Sequence, residues 1–107
     1  MGKYVVKWNR SAYLQMISIS VWYRENVALK AASSFISSVY KAIEQISSYP
    51  TIGMLDRKRS NARFKYHSLL LHPKYRLIYR VSKTTIRIVA IQCNLKNNES
   101  PSTSKTK

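Results

Sequence analysis

A chain of 107 residues with 45% hydrophobic residues and only two Gly and three Pro carries enough apolar mass for one folded domain, one that hides roughly two-thirds of its unfolded surface, and is no disordered segment. Nineteen Lys and Arg against four acids, Glu25, Glu44, Asp56 and Glu99, leave a formal charge of +15, which repels itself on folding and favours a polyanionic partner, nucleic acid above all. The single Cys93 forms no internal disulfide, and no apolar run has the length of a membrane span or signal-peptide core, so the expected compartment is a reducing cytoplasm without membrane contact.

In chain order, residues 3–8 (KYVVKW) combine β-branched and aromatic residues in a short run that reads as a strand, and Asn9 or Ser11 then offers a helix N-cap. From Ala12 to about Arg24, Ala12, Met16, Ile19 and Tyr23 fall on one helical face, widened by Tyr13, Ile17 and Trp22. Glu25 and Asn26 read as a tight break. Beyond it Ala28, Ala32, Phe35, Val39, Ile43 and Ile46 recur at spacings of three and four, and Pro50 ends the periodicity because proline cannot continue a helix. Two antiparallel helices are the simplest arrangement.

Residues 51–62 (TIGMLDRKRSNA) hold Gly53 and the basic run Arg57-Lys58-Arg59 and read as a polar connection. Residues 63–71, 75–81 and 85–92 read as three strands, joined by His72-Pro73-Lys74 and Ser82-Lys83-Thr84. Connectors this short favour an antiparallel meander, since a parallel crossover needs a dozen residues or more. The expected architecture is α+β in the order β-α-α-β-β-β, with a helical hairpin on one sheet face and the other face open. Residues 1–93 are the expected single domain, and the polar, unpatterned 94–107 an expected disordered tail.

Strand side chains alternate between faces, which places Arg76, Ile78 and Arg80 on one side and Tyr75, Leu77, Tyr79 and Val81 on the other. The aromatic side is expected to meet the helices, leaving Arg76 and Arg80 on the open face, where Lys65 and His67 of the preceding strand line up with them. Such cations can hold a phosphate and stabilise a pentacovalent transition state while an imidazole draws the proton from a 2′-hydroxyl, and no metal is required. His67 or His72 is the candidate acid or base, with a pKa pushed down by adjacent cations. Arg57, Lys58, Arg59, Arg63, Lys74, Arg87 and Lys96 are candidate nucleic-acid contacts. Zinc spacing, carboxylate pairs, glycine-rich phosphate loops and nucleophile elbows are absent from the sequence.

The opening YVVKWNRSAYLQMISIS, the helix ending AIEQISSYPTIGM and the segment KYRLIYRVSKTTIRIVAIQC together resemble the RelE/ParE superfamily of type II toxin-antitoxin toxins over roughly residues 4–96. The family pattern of a helix ending in L-x-x-x-P-x-x-G is similar to Ile46, Pro50 and Gly53, and its Y-R-x-x-Y strand to Tyr75, Arg76 and Tyr79. The resemblance implies the β-α-α-β-β-β fold, a cognate antitoxin as partner, no cofactor, and one of two activities. RelE-type members cut messenger RNA on the ribosome without a metal, the activity expected here from the Lys65, His67, Arg76 and Arg80 face and the +15 charge; ParE-type members inhibit DNA gyrase, and that activity, or a catalytically weakened module that binds RNA or only its antitoxin, is the alternative. It implies for Arg76 a contact to the scissile region, with Lys65 and His67 acting beside it. The chain departs from the pattern in three places: Asn94, Leu95, Lys96 and Asn97 stand where many members carry a basic ending, no Tyr follows Tyr79, and His67 replaces a frequent Arg.

Overall fold

The computed structural model describes residues 3–72 and 74–93, His72 by its backbone alone, so the expected tail 94–107 and Lys96 lie outside the described residues. A first strand β1 (Val5–Trp8) leads into α1 (Arg10–Asn26) and α2 (Leu29–Ser48), followed by β2 (Met54–Leu55), β3 (Lys65–His72), β4 (Tyr75–Val81) and β5 (Thr85–Cys93). The meander β3-β4-β5 is antiparallel, as its short connectors require. β1 pairs parallel with β5, and β2 closes the other edge against β3, giving a five-stranded sheet in the order β1-β5-β4-β3-β2. The two-residue strand β2 falls in the segment expected to be a plain connection; two residues carry no readable alternation, and only their pairing with Ser68 and His67 makes them a strand.

α2 buries Ala32, Phe35, Val39 and Ile46 of the periodic stripe visible in the sequence, and Ala42 besides, against Leu77, Tyr79, Ile86, Ile88 and Ile91 of the sheet, while Ile43 of that stripe is only partly buried and Ala28 is the residue before the helix. α1 adds Ala12, Met16 and Tyr23. Tyr13, Ile17 and Trp22, expected to widen that face, are instead exposed, because the narrow stripe at spacings of three and four already fills the seam between α1, α2 and the sheet. The Gln15 Oε1 atom accepts the Ile91 N–H at 2.9 Å and ties α1 to β5. No helix among the described residues is long and apolar enough to cross a membrane.

The turn after α2 is anchored to the middle of the sheet by one side chain. The Tyr79 hydroxyl donates to the Pro50 carbonyl at 2.7 Å and accepts the Gly53 N–H at 3.0 Å. Burial pushes the Tyr79 phenol up, partly offset by the Gly53 N–H, so the group stays a donor. Gly53 is required by close approach: a Cβ there would stand 2.7 Å from the Tyr79 hydroxyl and 2.8 Å from the Ser68 carbonyl oxygen. The two sequence patterns ending at Gly53 and Tyr79 are thus two halves of one contact.

Tyr79→Phe leaves the Pro50 carbonyl and the Gly53 N–H without this partner and is expected to cost about 1–3 kcal/mol in urea unfolding. Gly53→Ala is expected to cost about 1–3 kcal/mol through overpacking. Removing the hydroxyl relieves one of its two clashes, so the double variant should lose less than the sum of the singles. Strict additivity would show that the turn and Tyr79 are not coupled.

Candidate functional site

The face of the sheet turned away from the helices is built by register. Lys7 of β1 lies opposite Arg87 of β5, Arg87 opposite Arg80 of β4, and Arg80 opposite Tyr66 of β3. Cross-strand partners share a face, so Lys7, Arg87, Arg80 and Tyr66 form one row perpendicular to the strands. Four residues before Arg80 on β4, Arg76 sits between Gln92 and Leu70, and Ile78, between Ala90 and Ser68, occupies the row between. Ile78 is only 2% exposed although it lies outside the helix-side core; the long side chains of Arg76 and Arg80 flank it along the strand.

Each guanidinium is positioned locally. Arg76 Nη1 donates to Ser68 Oγ at 3.1 Å. Arg80 lies over the Phe64 ring, 4.2 Å from its centroid, with Tyr66 Oη at 3.5 Å from Nη1. Arg87 Nη1 donates to Asn9 Oδ1 at 3.2 Å and lies 3.5 Å from the Trp8 carbonyl oxygen. The Asn9 side chain, expected to cap α1, makes no cap bond and holds Arg87 instead.

Arg87 reaches this face through a bulge. Ile78 pairs with Ala90 but Tyr79 pairs with Ile88, which leaves Val89 as an extra residue. The phase of β5 therefore flips at Val89: Ile86 and Ile88 face the helices before it, and Ile91 after it. Strict alternation would have put Arg87 and Ile91 on one side. Lys7 was absent from the sequence-level site; its alternation with Trp8 was visible, but only the parallel pairing of β1 with β5 brings it beside Arg87.

Lys65 and His67 do not join Arg76 and Arg80. Lys65 is registered with Val81 and His67 with Tyr79, which places both on the helix side of the sheet, where Lys65 is exposed at the end of the strand and His67 is only 6% exposed. Tyr66 and Ser68 occupy the positions expected for them. The sequence of β3 hides its phase, since both alternating sets, Lys65-His67-Leu69-Leu71 and Tyr66-Ser68-Leu70, mix polar with apolar residues. Leu69 and Leu71 pack on the core and decide the matter.

The His67 ring stacks on Tyr79, with centroids 5.5 Å apart and planes at 17°, and its Nδ1 atom is buried without a hydrogen-bond partner. Its pKa is lowered as expected, but by burial rather than by neighbouring cations. Of the remaining candidates, Arg57, Lys58 and Arg59 lie in the exposed β2–β3 connection, where Arg59 is paired with Asp56 at 2.9 Å. Arg63 lies 5.6 Å from the Phe64 ring centroid, at the Tyr66 end of the row. Lys74 is exposed beside Trp22, Tyr75 and Cys93, at the opposite end of β4 from Arg80.

The model of the ParE toxin of the type II toxin-antitoxin system parDE matches residues 6–95 of the chain. Among solved structures, a chain of the chromosomal ParDE TA system from P. aeruginosa is similar, with a TM-score of 0.65 and 18% identity over 85% of this chain and 96% of that one. The YoeB dimer from Staphylococcus aureus (TM-score 0.56, 16% identity, 84% and 95% covered) and a YoeB/ParE toxin from Agrobacterium tumefaciens (0.57, 14%, 84% and 98%) share the fold as well. At these identities the likeness speaks for the fold. No curated protein matches by sequence.

Buried and held below its ordinary value of 6.5, His67 takes up a proton later in the folded than in the unfolded chain as pH falls. The unfolded state then binds more protons, so the contribution of His67 to stability is complete above about pH 6.5 and declines as pH drops through the folded value. The urea midpoint should be lower at about pH 5.5 than at about pH 7.5, and His67→Phe, which keeps a stacked ring on Tyr79, should flatten that dependence. An unchanged slope in the variant would assign the effect to other groups.

Proposed function

Because the chain belongs to the ParE toxin family of type II toxin-antitoxin systems, we propose that it acts on its target by binding through the cationic sheet face, as an inhibitor of DNA gyrase, rather than by cutting messenger RNA. Membership in the family carries a cognate antitoxin as partner. The observation that carries the choice of activity is the position of His67. Metal-independent cleavage of RNA needs a base within hydrogen-bond reach of the 2′-hydroxyl, as well as cations to hold the phosphate. Arg76 and Arg80 supply the cations on the open face, but His67 is on the opposite side of the sheet, stacked on the Tyr79 ring.

An inhibitor that only binds needs no such base. It needs a surface of one sign, and Lys7, Arg80, Arg87 and Arg76 supply it. The ribosome-dependent endonuclease expected from the Arg76 strand keeps its support in the open position of Arg76 beside Ser68.

Purified toxin in excess is expected to abolish supercoiling by gyrase while leaving messages on programmed ribosomes uncut. Reversing charge with Arg80→Glu and Arg87→Glu together should raise the half-inhibitory concentration by about tenfold or more, because like-charge juxtaposition at an interface costs several kcal/mol. Codon-phased cuts that disappear in Arg76→Ala would return the function to the endonuclease reading.

A further inference from the structure

Residues 24–30, which lead from the end of α1 into α2, are all exposed, so no other described element covers this end of the hairpin. Val27 and Ala28 make the connection, and Val27 is 61% exposed, Leu29 67% and the preceding Trp22 50%. One exposed apolar side chain is ordinary, but the fold gains nothing from three at a single turn. The start of α2 is also built against its own stability. Ala28 makes no side-chain cap bond, and Lys30 rather than an acid stands in the first turn, at the positive end of the helix dipole. Lys74 lines the same groove as Trp22, and Arg24 adds a third cation beside Glu25, with which it pairs at 3.7 Å.

We propose that this end of the molecule docks on an anionic lipid bilayer, with Trp22, Val27 and Leu29 entering the headgroup region and Arg24, Lys30 and Lys74 meeting lipid phosphates. The size and charge of the tip select a bilayer over a protein. A stable protein interface takes about 20–30 residues a side, whereas this end offers the nine exposed residues 22, 24–30 and 74. A second copy of the chain would press two tips of like charge together, each on a molecule of formal charge +15. A bilayer accepts a small apolar tip, since Trp is favoured at the headgroup level and apolar burial adds to the attraction of anionic lipid. Such a contact needs no spanning helix, and none occurs among the described residues.

Lys74 and Arg80 stand at opposite ends of β4, about 20 Å apart at about 3.4 Å per residue. That is well beyond the Debye length of about 8 Å at physiological salt. The row of Lys7, Arg87 and Arg80 therefore does not drive this contact, and the inference does not depend on the function proposed for the open face. The test is flotation of the full chain with vesicles of phosphatidylcholine, alone or mixed with phosphatidylglycerol, at about 0.15 M salt. The mixed vesicles should carry the protein and the neutral ones should carry far less. Bromine on the lipid acyl chains should quench tryptophan emission, and Trp22→Phe, which keeps Trp8, should lose that quenching. Val27→Ser with Leu29→Ser should weaken partitioning about tenfold or more. Lys30→Ala and Lys74→Ala should each weaken it about fivefold. Lys83→Ala removes the same charge at the far end and should weaken it less than about twofold. All these side chains are exposed, so the urea midpoints should stay with the parent's, and lost binding is not lost fold.

Partitioning unchanged by Val27→Ser with Leu29→Ser, or weakened as much by Lys83→Ala as by Lys30→Ala, would show plain adsorption of a basic chain and overturn the inference. Absence of flotation, or quenching that survives Trp22→Phe, would overturn it too. A dimer that dissociates in the Val27→Ser, Leu29→Ser variant, without vesicle binding by the parent, would assign the tip to a second copy of the chain instead.

Discussion

The hydrogen bonds of the Tyr79 hydroxyl to Pro50 and Gly53 are the constraint from which the rest of the molecule follows. Tyr79 is fully buried in the central strand β4. Through it the chain leaving α2 is pinned to the sheet, which sets where β2 can pair with β3 and how the hairpin of α1 and α2 lies over the core. A phenol in an apolar interior must satisfy its hydroxyl. The turn that ends α2 supplies both partners, and it approaches closely enough only because Gly53 has no Cβ.

The same side chain decides what the open face contains. With Tyr79 turned toward the helices, Arg80 and Ile78 must turn away, and every residue registered with them on β3, β5 and β1 follows. His67, opposite Tyr79, is drawn into the interior and stacked there; Tyr66, opposite Arg80, is sent outward. A one-residue difference in the phase of β3 thus separates a surface that gathers an imidazole among cations from one that gathers an aromatic ring among them. The first suits proton transfer and the second suits binding.

Two irregularities adjust this pattern. The bulge at Val89 lets β5 bury Ile86, Ile88 and Ile91 while still presenting Arg87 outward, and a second register shift falls between Leu70 and His72 at the end of β3, after Leu69 and Leu71 have reached the core by plain alternation. Apolar residues set the register because each buried side chain is worth about 1.5–3 kcal/mol, more than the repulsion between exposed or half-exposed cations in water. The row of Lys7, Arg87 and Arg80 is therefore stable enough to exist without being favourable in itself.

The sequence by itself determined the α+β order, the helical hairpin, the meander, the core stripe of α2 and the outward position of Arg76 and Arg80, because each follows from local periodicity or from short connectors. The likeness of its Pro50-to-Gly53 and Tyr75-to-Tyr79 segments to the RelE/ParE pattern was legible too. What only the tertiary structure decided was the pairing between distant segments: β1 with β5, β2 with β3, and the phase of β3 against β4. Those pairings rest on which residues find apolar partners across strands, information that no short window of sequence contains. They moved His67 into the core and brought Lys7 into line with Arg87, so that the open face carries a row of cations ending in aromatic rings in place of the expected group of cations around an imidazole.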